Sequence, residues 1–143
     1  MTGPTTLADV VVDVARDHGD RVALTFRDQA ITYARLDTMI ERAADRLVAL
    51  GVLKGERVAL LLPNVPQFVV AFYAVARIGA TVVPVNVLYK ADELAHVIRD
   101  SEAAALIVYD SFRETASAAL RGAPSVRRMI VTGTTVAPIL ATA

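Results

Sequence analysis

The 143-residue sequence predicts an α/β fold: an N-terminal β-hairpin and helices, then βαβαβ units forming a mostly parallel sheet. Three observations predict it. Val58 to Leu62 is a short apolar run without polar alternation, as expected of a parallel strand covered on both faces. Further strand-like runs follow it, each separated from the next by one helical pattern, which implies right-handed crossovers. Ahead of these, Val22-Ala23-Leu24-Thr25-Phe26 and Ala30-Ile31 flank Arg27-Asp28-Gln29, the pattern of a small hairpin.

In chain order, Thr6 to Asp17 reads as a first helix, with Leu7, Val10, Val11 and Val14 on one side. Thr5 or Thr6 is placed to cap it and Gly19 to end it. After the hairpin comes the clearest element. Leu36, Met39, Ile40, Ala43, Leu47 and Leu50 fall on one helical face, with Asp37, Glu41, Arg42, Asp45 and Arg46 opposite. Thr32 is its natural N-cap, and Gly51 sits where a left-handed residue is wanted.

Pro63-Asn64 breaks the Val58–Leu62 strand, with Asn64 placed to cap a helix from about Val65 to Ile78 and Gly79 as its stop. Thr81-Val82-Val83 is the next strand and Ala91 to Arg99 the next helix. Ala104 to Tyr109, Ser111 to Arg121 and Arg128 to Val131 complete the alternation as strand, helix and strand. Residues 132–143 contain Gly133 and Pro138 but no periodicity, and are expected to be poorly ordered. The domain reading is therefore 1–131, followed by a tail.

Composition excludes several function classes. Fifteen basic and fifteen acidic side chains cancel without clustering, which argues against nucleic acid or an anionic membrane surface as partner. There is no cysteine, so disulfides and thiolate metal sites are excluded. The longest apolar stretch, Phe68 to Ala76, is too short to span a bilayer. Asp9 and Asp13 interrupt the apolar positions a signal peptide would need, so a cytoplasmic protein is expected. At 55% hydrophobic residues and a mean hydropathy of +0.46, the chain is more apolar than a free-standing soluble domain of its length. Packing against further protein explains that excess.

The order and spacing of Ile31-Thr32-Tyr33-Ala34-Arg35-Leu36, Leu62-Pro63-Asn64, Arg77-Ile78-Gly79-Ala80, Pro84-Val85-Asn86, Glu93-Leu94 and Asp100-Ser101 resemble the N-terminal region of the adenylate-forming (AMP-binding) enzymes, the acyl-CoA synthetases in particular. One residue departs from the pattern: Arg35 stands where the family has glutamate, so no acidic side chain closes a capping box with Thr32.

The resemblance implies part of a larger adenylate-forming domain, roughly the first quarter of a carboxylic acid–CoA ligase, with a fatty acid as the expected acid. Such an enzyme joins a carboxylate to the α-phosphate of Mg-ATP, and coenzyme A then displaces AMP. Its phosphate loop, metal-binding acid and catalytic lysine lie beyond the matched region. This chain alone is therefore expected to be inactive and to bind none of ATP, Mg2+ or coenzyme A tightly. The remainder of the enzyme is the expected partner. The alternative is a non-catalytic α/β module that self-associates or pairs with a separate chain through apolar surface.

No catalytic or metal-ligating residue is assigned. Thr132-Gly133-Thr134-Thr135 looks like the middle of the family's phosphate loop, but it lacks the second glycine and the lysine that would neutralise the phosphates. Lys90 is the one candidate for a coenzyme A phosphate. The match there is imprecise, since Leu88 aligns better, and a solvent-facing lysine at a helix start is the simpler reading. His96, with Asp92 and Glu93 on the preceding turn, reads as a solvated helix face. His18 complements a helix C-terminus, and Phe72 and Tyr73 read as core. A third possibility, an independent nucleotide-binding domain of flavodoxin-like type, is weakened by Pro63-Asn64-Val65-Pro66, which has no glycine for phosphate approach.

Overall fold

The computed structural model describes residues 6–133 and the backbone of 141–142. The elements run α1 (Leu7–His18), β1 (Val22–Phe26), β2 (Gln29–Thr32), α2 (Tyr33–Ala49), β3 (Arg57–Leu61), α3 (Pro66–Arg77), β4 (Thr81–Pro84), α4 (Ala91–Ser101), β5 (Ala105–Tyr109), a 3-10 turn (Asp110–Phe112), α5 (Arg113–Leu120), β6 (Arg128–Thr132) and β7 (Ala141–Thr142). The antiparallel β1–β2 hairpin closes through Arg27-Asp28, with Arg27 at a left-handed φ of 53°. The larger sheet has the order β4-β3-β5-β6-β7, parallel except for β7.

That order fixes where the helices lie. The crossover from β3 to β4 moves one way along the sheet, and those from β4 to β5 and β5 to β6 move the other way. A single crossover hand therefore puts α3 on one face and α4 and α5 on the opposite one. The core divides accordingly. Val58, Leu60, Leu62, Ile107 and Ile130 point toward α2 and α3, while Ala59, Leu61, Leu106, Val108 and Val131 point toward α4 and α5. Both faces are covered, which is why Val58–Leu62 carries no polar alternation.

Helix ends show how the sequence sets the element boundaries. Thr32 Oγ1 accepts from Arg35 N–H at 3.2 Å, the expected cap of α2. At α1 and α4 an acidic third residue reaches back: Asp9 to Thr6 N–H at 3.0 Å, and Glu93 to Lys90 N–H at 2.8 Å. Arg35 cannot make that return bond in α2. The Thr6 backbone bond, and secondarily its hydroxyl, hold the Asp9 carboxyl below the usual aspartate range.

Asn64 does not cap α3. The N-cap is Val65, extended at φ −125° and ψ 162°, because Pro66 occupies the first helical position and forces its predecessor out of the helical region. α4 runs two residues past Arg99 and stops at Glu102, which takes φ 53° without being glycine. The expected helix from Ser111 divides into the 3-10 turn and α5. The tail expected at 132–143 falls mainly on residues 134–140 and 143, outside the described residues. Thr132 itself is the last residue of β6.

Ion pairs fasten the elements together. Arg77 donates to Asp37 Oδ1 at 2.6 Å, tying α3 to α2. Arg57 donates to the Ser101 carbonyl at 2.9 Å, covering the negative end of α4. Arg127 grips both oxygens of Glu56 at 2.9 Å, and Glu56 also accepts from Leu53 N–H at 2.9 Å.

The Arg127 hydrogen bond, followed by the Leu53 N–H, holds the Glu56 carboxyl below the usual glutamate range. A depressed folded-state pKa stabilises the fold above the unfolded value, and that stabilisation fades as pH falls through the depressed value. Arg127→Ala is therefore expected to lower the melting temperature by a few degrees at pH 7. The deficit should shrink as pH falls below the ordinary glutamate range, as thermal scans across pH would show; a deficit that grows in acid would contradict the pairing.

Candidate functional site

In open α/β sheets, ligands bind at the carboxyl ends of the strands, beside the point where strand order reverses. Here that point lies between β3 and β5, since α3 leaves β3 on one face and α4 returns to β5 on the other. The segments meeting there are Pro63–Val65 after β3, Asp110–Phe112 after β5 and Thr132-Gly133 at the end of β6. Among the described residues this edge is filled by packed side chains. Gln67, in the first turn of α3, is 2% exposed, and its Nε2 donates to the Gly133 carbonyl at 2.7 Å. The Thr132 side chain is 1% exposed.

Thr132 and Gly133 thus lie within the packed sheet edge, while Thr134 and Thr135 lie outside the described residues. Thr132-Gly133 does not fit a phosphate. Its one side chain is buried, and neither of the chain's lysines lies beside it. Lys54 lies at the opposite, amino-terminal edge, its stem against Gly79 before β4. Lys90 is the exposed N-cap residue of α4. It follows Leu88, which is 83% exposed, and the half-exposed Tyr89.

Open grooves lie elsewhere among the described residues. One, of about 360 Å³, runs over α4 between Tyr89, Asp92, Glu93, His96 and Val97. It gathers the His96 cluster, but Glu93 is committed to the Lys90 N–H. Among the described residues no group of three His, Asp or Glu side chains is placed to hold a metal ion. His96 is exposed on α4, and His18 is exposed at the last position of α1.

The second groove, of about 210 Å³, separates β1 from the start of α3 and is lined by Leu24, Phe26, Val65, Pro66 and Phe68 among others. Sequence reasoning missed it, because it depends on how the hairpin docks on α3. Phe68, Phe72 and Tyr73 form a half-buried aromatic row along α3, with ring centroids 6.3 Å and 5.4 Å apart. Phe72 and Tyr73 pack against the first core cluster, as expected. Gln67 was also missed. Its signal was a polar residue at the head of an apolar helix, facing the core.

The model for the AMP-binding enzyme family matches residues 11–140. Among curated relatives, the acetyl-coenzyme A synthetase of Streptomyces avermitilis is 43% identical over 116 residues, covering 77% of this chain and 18% of that enzyme. Triostin synthetase I of Streptomyces triostinicus is 38% identical over 134 residues, covering 89% of this chain and 24% of that protein. Among solved structures, the long-chain-fatty-acid-CoA ligase FadD1 of Archaeoglobus fulgidus superposes with a TM-score of 0.83 at 30% identity. That superposition covers 95% of this chain and 29% of the ligase. The chain spans 15% to 24% of the length of the curated relatives it matches. No helix among the described residues is long and apolar enough to cross a membrane. Since that family model covers most of the chain, the chain belongs to the AMP-binding enzymes.

Proposed function

We propose that residues 1–131 form the N-terminal α/β part of an ATP-dependent carboxylic acid–CoA ligase, with a fatty acid as substrate and an acyl-adenylate as intermediate. The observation that carries this reading is the family match over residues 11–140, on a sheet whose order and helix faces are those of a doubly wound domain. Relatives named as CoA ligases and synthetases support the reaction class. ATP, Mg2+ and coenzyme A are the cofactors of the whole enzyme in this reading. When bound they would supply the adenylyl group with pyrophosphate as its leaving group, the neutralisation of the phosphate charge and the acceptor thiol.

The part played by these 143 residues is architectural. Adenylation requires backbone donors and fixed positive charge around three phosphates. At the carboxyl edge the chain instead offers the packed Gln67–Gly133 contact, with Lys54 at the far edge and Lys90 in solvent. The 143-residue chain is therefore expected to release no pyrophosphate from ATP with any of a panel of fatty and aromatic acids. A polypeptide that continues through a glycine-rich loop and a distal lysine is expected to release it in an acid-dependent way. Turnover by the 143-residue chain itself would refute the architectural role.

A second reading, a non-catalytic module that pairs with a copy of itself or another chain, is favoured by the exposure of Leu7, Leu53, Leu88 and Tyr89 and by the edge strand β4. The same surfaces would meet the remainder of the ligase in the first reading. Light scattering on the same sample separates the self-pairing module, which forms a discrete dimer, from the ligase part, which aggregates.

A further inference from the structure

We propose that Pro84 guards the outer edge of the sheet, so that a partner on this side meets the side chains of β4 and does not extend the sheet by a strand. Among the described residues β4 is the end strand of the sheet, and one side of its backbone is committed to β3. The Thr81 N–H bonds the Glu56 carbonyl at 2.8 Å, and the Val85 N–H bonds the Leu60 carbonyl at 3.0 Å. Backbone groups along a strand point alternately to either side, so Thr81, Val83 and Val85 face β3 while Val82 and Pro84 face outward. Proline has no N–H. The outer edge of β4 therefore presents a donor at Val82 and none at Pro84.

The flanks of β4 offer no replacement. Just before the strand, the Ala80 N–H is taken by the Val75 carbonyl at 3.1 Å, where α3 ends. Just after it, Asn86 turns the chain. Its carbonyl accepts from the Tyr89 N–H at 3.1 Å, and its Oδ1 accepts from the Leu88 N–H at 2.9 Å. A guard is needed because the segment is otherwise prone to pairing: Thr81, Val82, Val83 and Val85 are all β-branched and uncharged. Edge strands are blunted by charge, by bulges or by proline. β4 carries no charge, and its register with β3 runs unbroken from Arg57–Thr81 to Leu60–Pro84. Proline is the remaining device. It sits where it costs the β3 ladder nothing, because the missing N–H would have pointed away from β3. Pro84 is exposed, as that placement requires. The guard acts alike on the rest of a ligase and on a second copy, so it does not depend on which reading of function holds.

Self-association of the 143-residue chain, followed by analytical ultracentrifugation, tests the guard. Pro84→Val and Pro84→Thr restore the N–H. Thr81→Val is the control, adding apolar surface at an exposed position whose N–H is already bonded to Glu56. In a symmetric pairing of β4 with β4 each chain contributes the restored donor. Both Pro84 variants are therefore expected to associate roughly tenfold or more tightly than wild type, while Thr81→Val stays near wild type. Amide exchange adds a residue-level readout that works on wild type alone. There the Val82 amide should exchange fast between protected amides at Thr81 and Val83, and in the Pro84 variants it should gain protection as concentration rises. Aggregation through exposed side chains such as Leu53 leaves the Val82 amide fast, so it is not mistaken for strand pairing. A Val82 amide as protected as its neighbours in dilute wild type would overturn the proposal. So would equal association of Thr81→Val and the Pro84 variants, or wild-type association in Pro84 variants that keep their fold.

Discussion

Ile107→Ala is expected to cost about 2–5 kcal/mol, the range for deleting a large aliphatic side chain from a packed interior. Ile107 sits at the centre of β5, opposite Leu60 on β3 and Ile130 on β6, and all three are fully buried on the face covered by α2 and α3. The row cannot collapse easily. Its backbone is held in ladders on both sides, so the removed methyl groups leave a cavity that neighbours fill only in part. Total stabilities of single domains are about 5–15 kcal/mol, so this one change removes a large share. Urea denaturation followed by circular dichroism should show a lower midpoint with an unchanged slope. Leu88→Ala, at a side chain 83% exposed, is the contrast and should shift the midpoint little. Equal effects of the two changes would mean that the interior row is packed differently.

The fold was legible where one residue type had one physical use. Thr32 and Gly51 mark the two ends of α2, because a hydroxyl satisfies a free N–H and a glycine takes positive φ at little cost. The unalternating run at Val58–Leu62 gave a strand covered on both faces. Legibility failed where tertiary context overrode the local signal. α4 outran its expected end because Glu102 adopts the left-handed conformation, which sequence assigns to glycine or asparagine, while Arg57 grips the Ser101 and Glu102 carbonyls. Asn64 looked like a cap, but Pro66 moved the helix start one residue on.

The candidate site was less legible than the fold. Lys90 and His96 are polar and near the family's landmarks, and both are exposed. The contact that organises the carboxyl edge joins residues 67 and 133, and no local spacing connects them. Only the crossover topology, which brings the start of α3 over the end of β6, makes them neighbours.

Gly79→Ala carries the second large expected effect, and comparison with Gly51→Ala separates its two causes. Both glycines end helices in the same way. The Gly79 N–H bonds the Ala76 carbonyl and the Ala80 N–H the Val75 carbonyl, as Gly51 and Val52 do with Val48 and Leu47. Both have left-handed φ, 78° and 88°, so each alanine should cost about 1–2 kcal/mol in backbone strain. Their surroundings differ. A Cβ at Gly51 meets nothing within 4 Å, whereas one at Gly79 would lie 2.8 Å from Lys54 Cγ, which must then move. The Lys54 segment is held there by the Gly55 N–H bonding the Gly79 carbonyl at 2.9 Å, just where β3 and β4 begin their ladder. Gly79→Ala is therefore expected to destabilise more than Gly51→Ala. Lys54→Ala, which removes the clashing Cγ, should return the excess in a double-mutant cycle measured by urea midpoints. Equal costs at the two glycines, or no coupling with Lys54, would show that the lysine stem does not pack on this turn and that strand entry is set by backbone conformation alone.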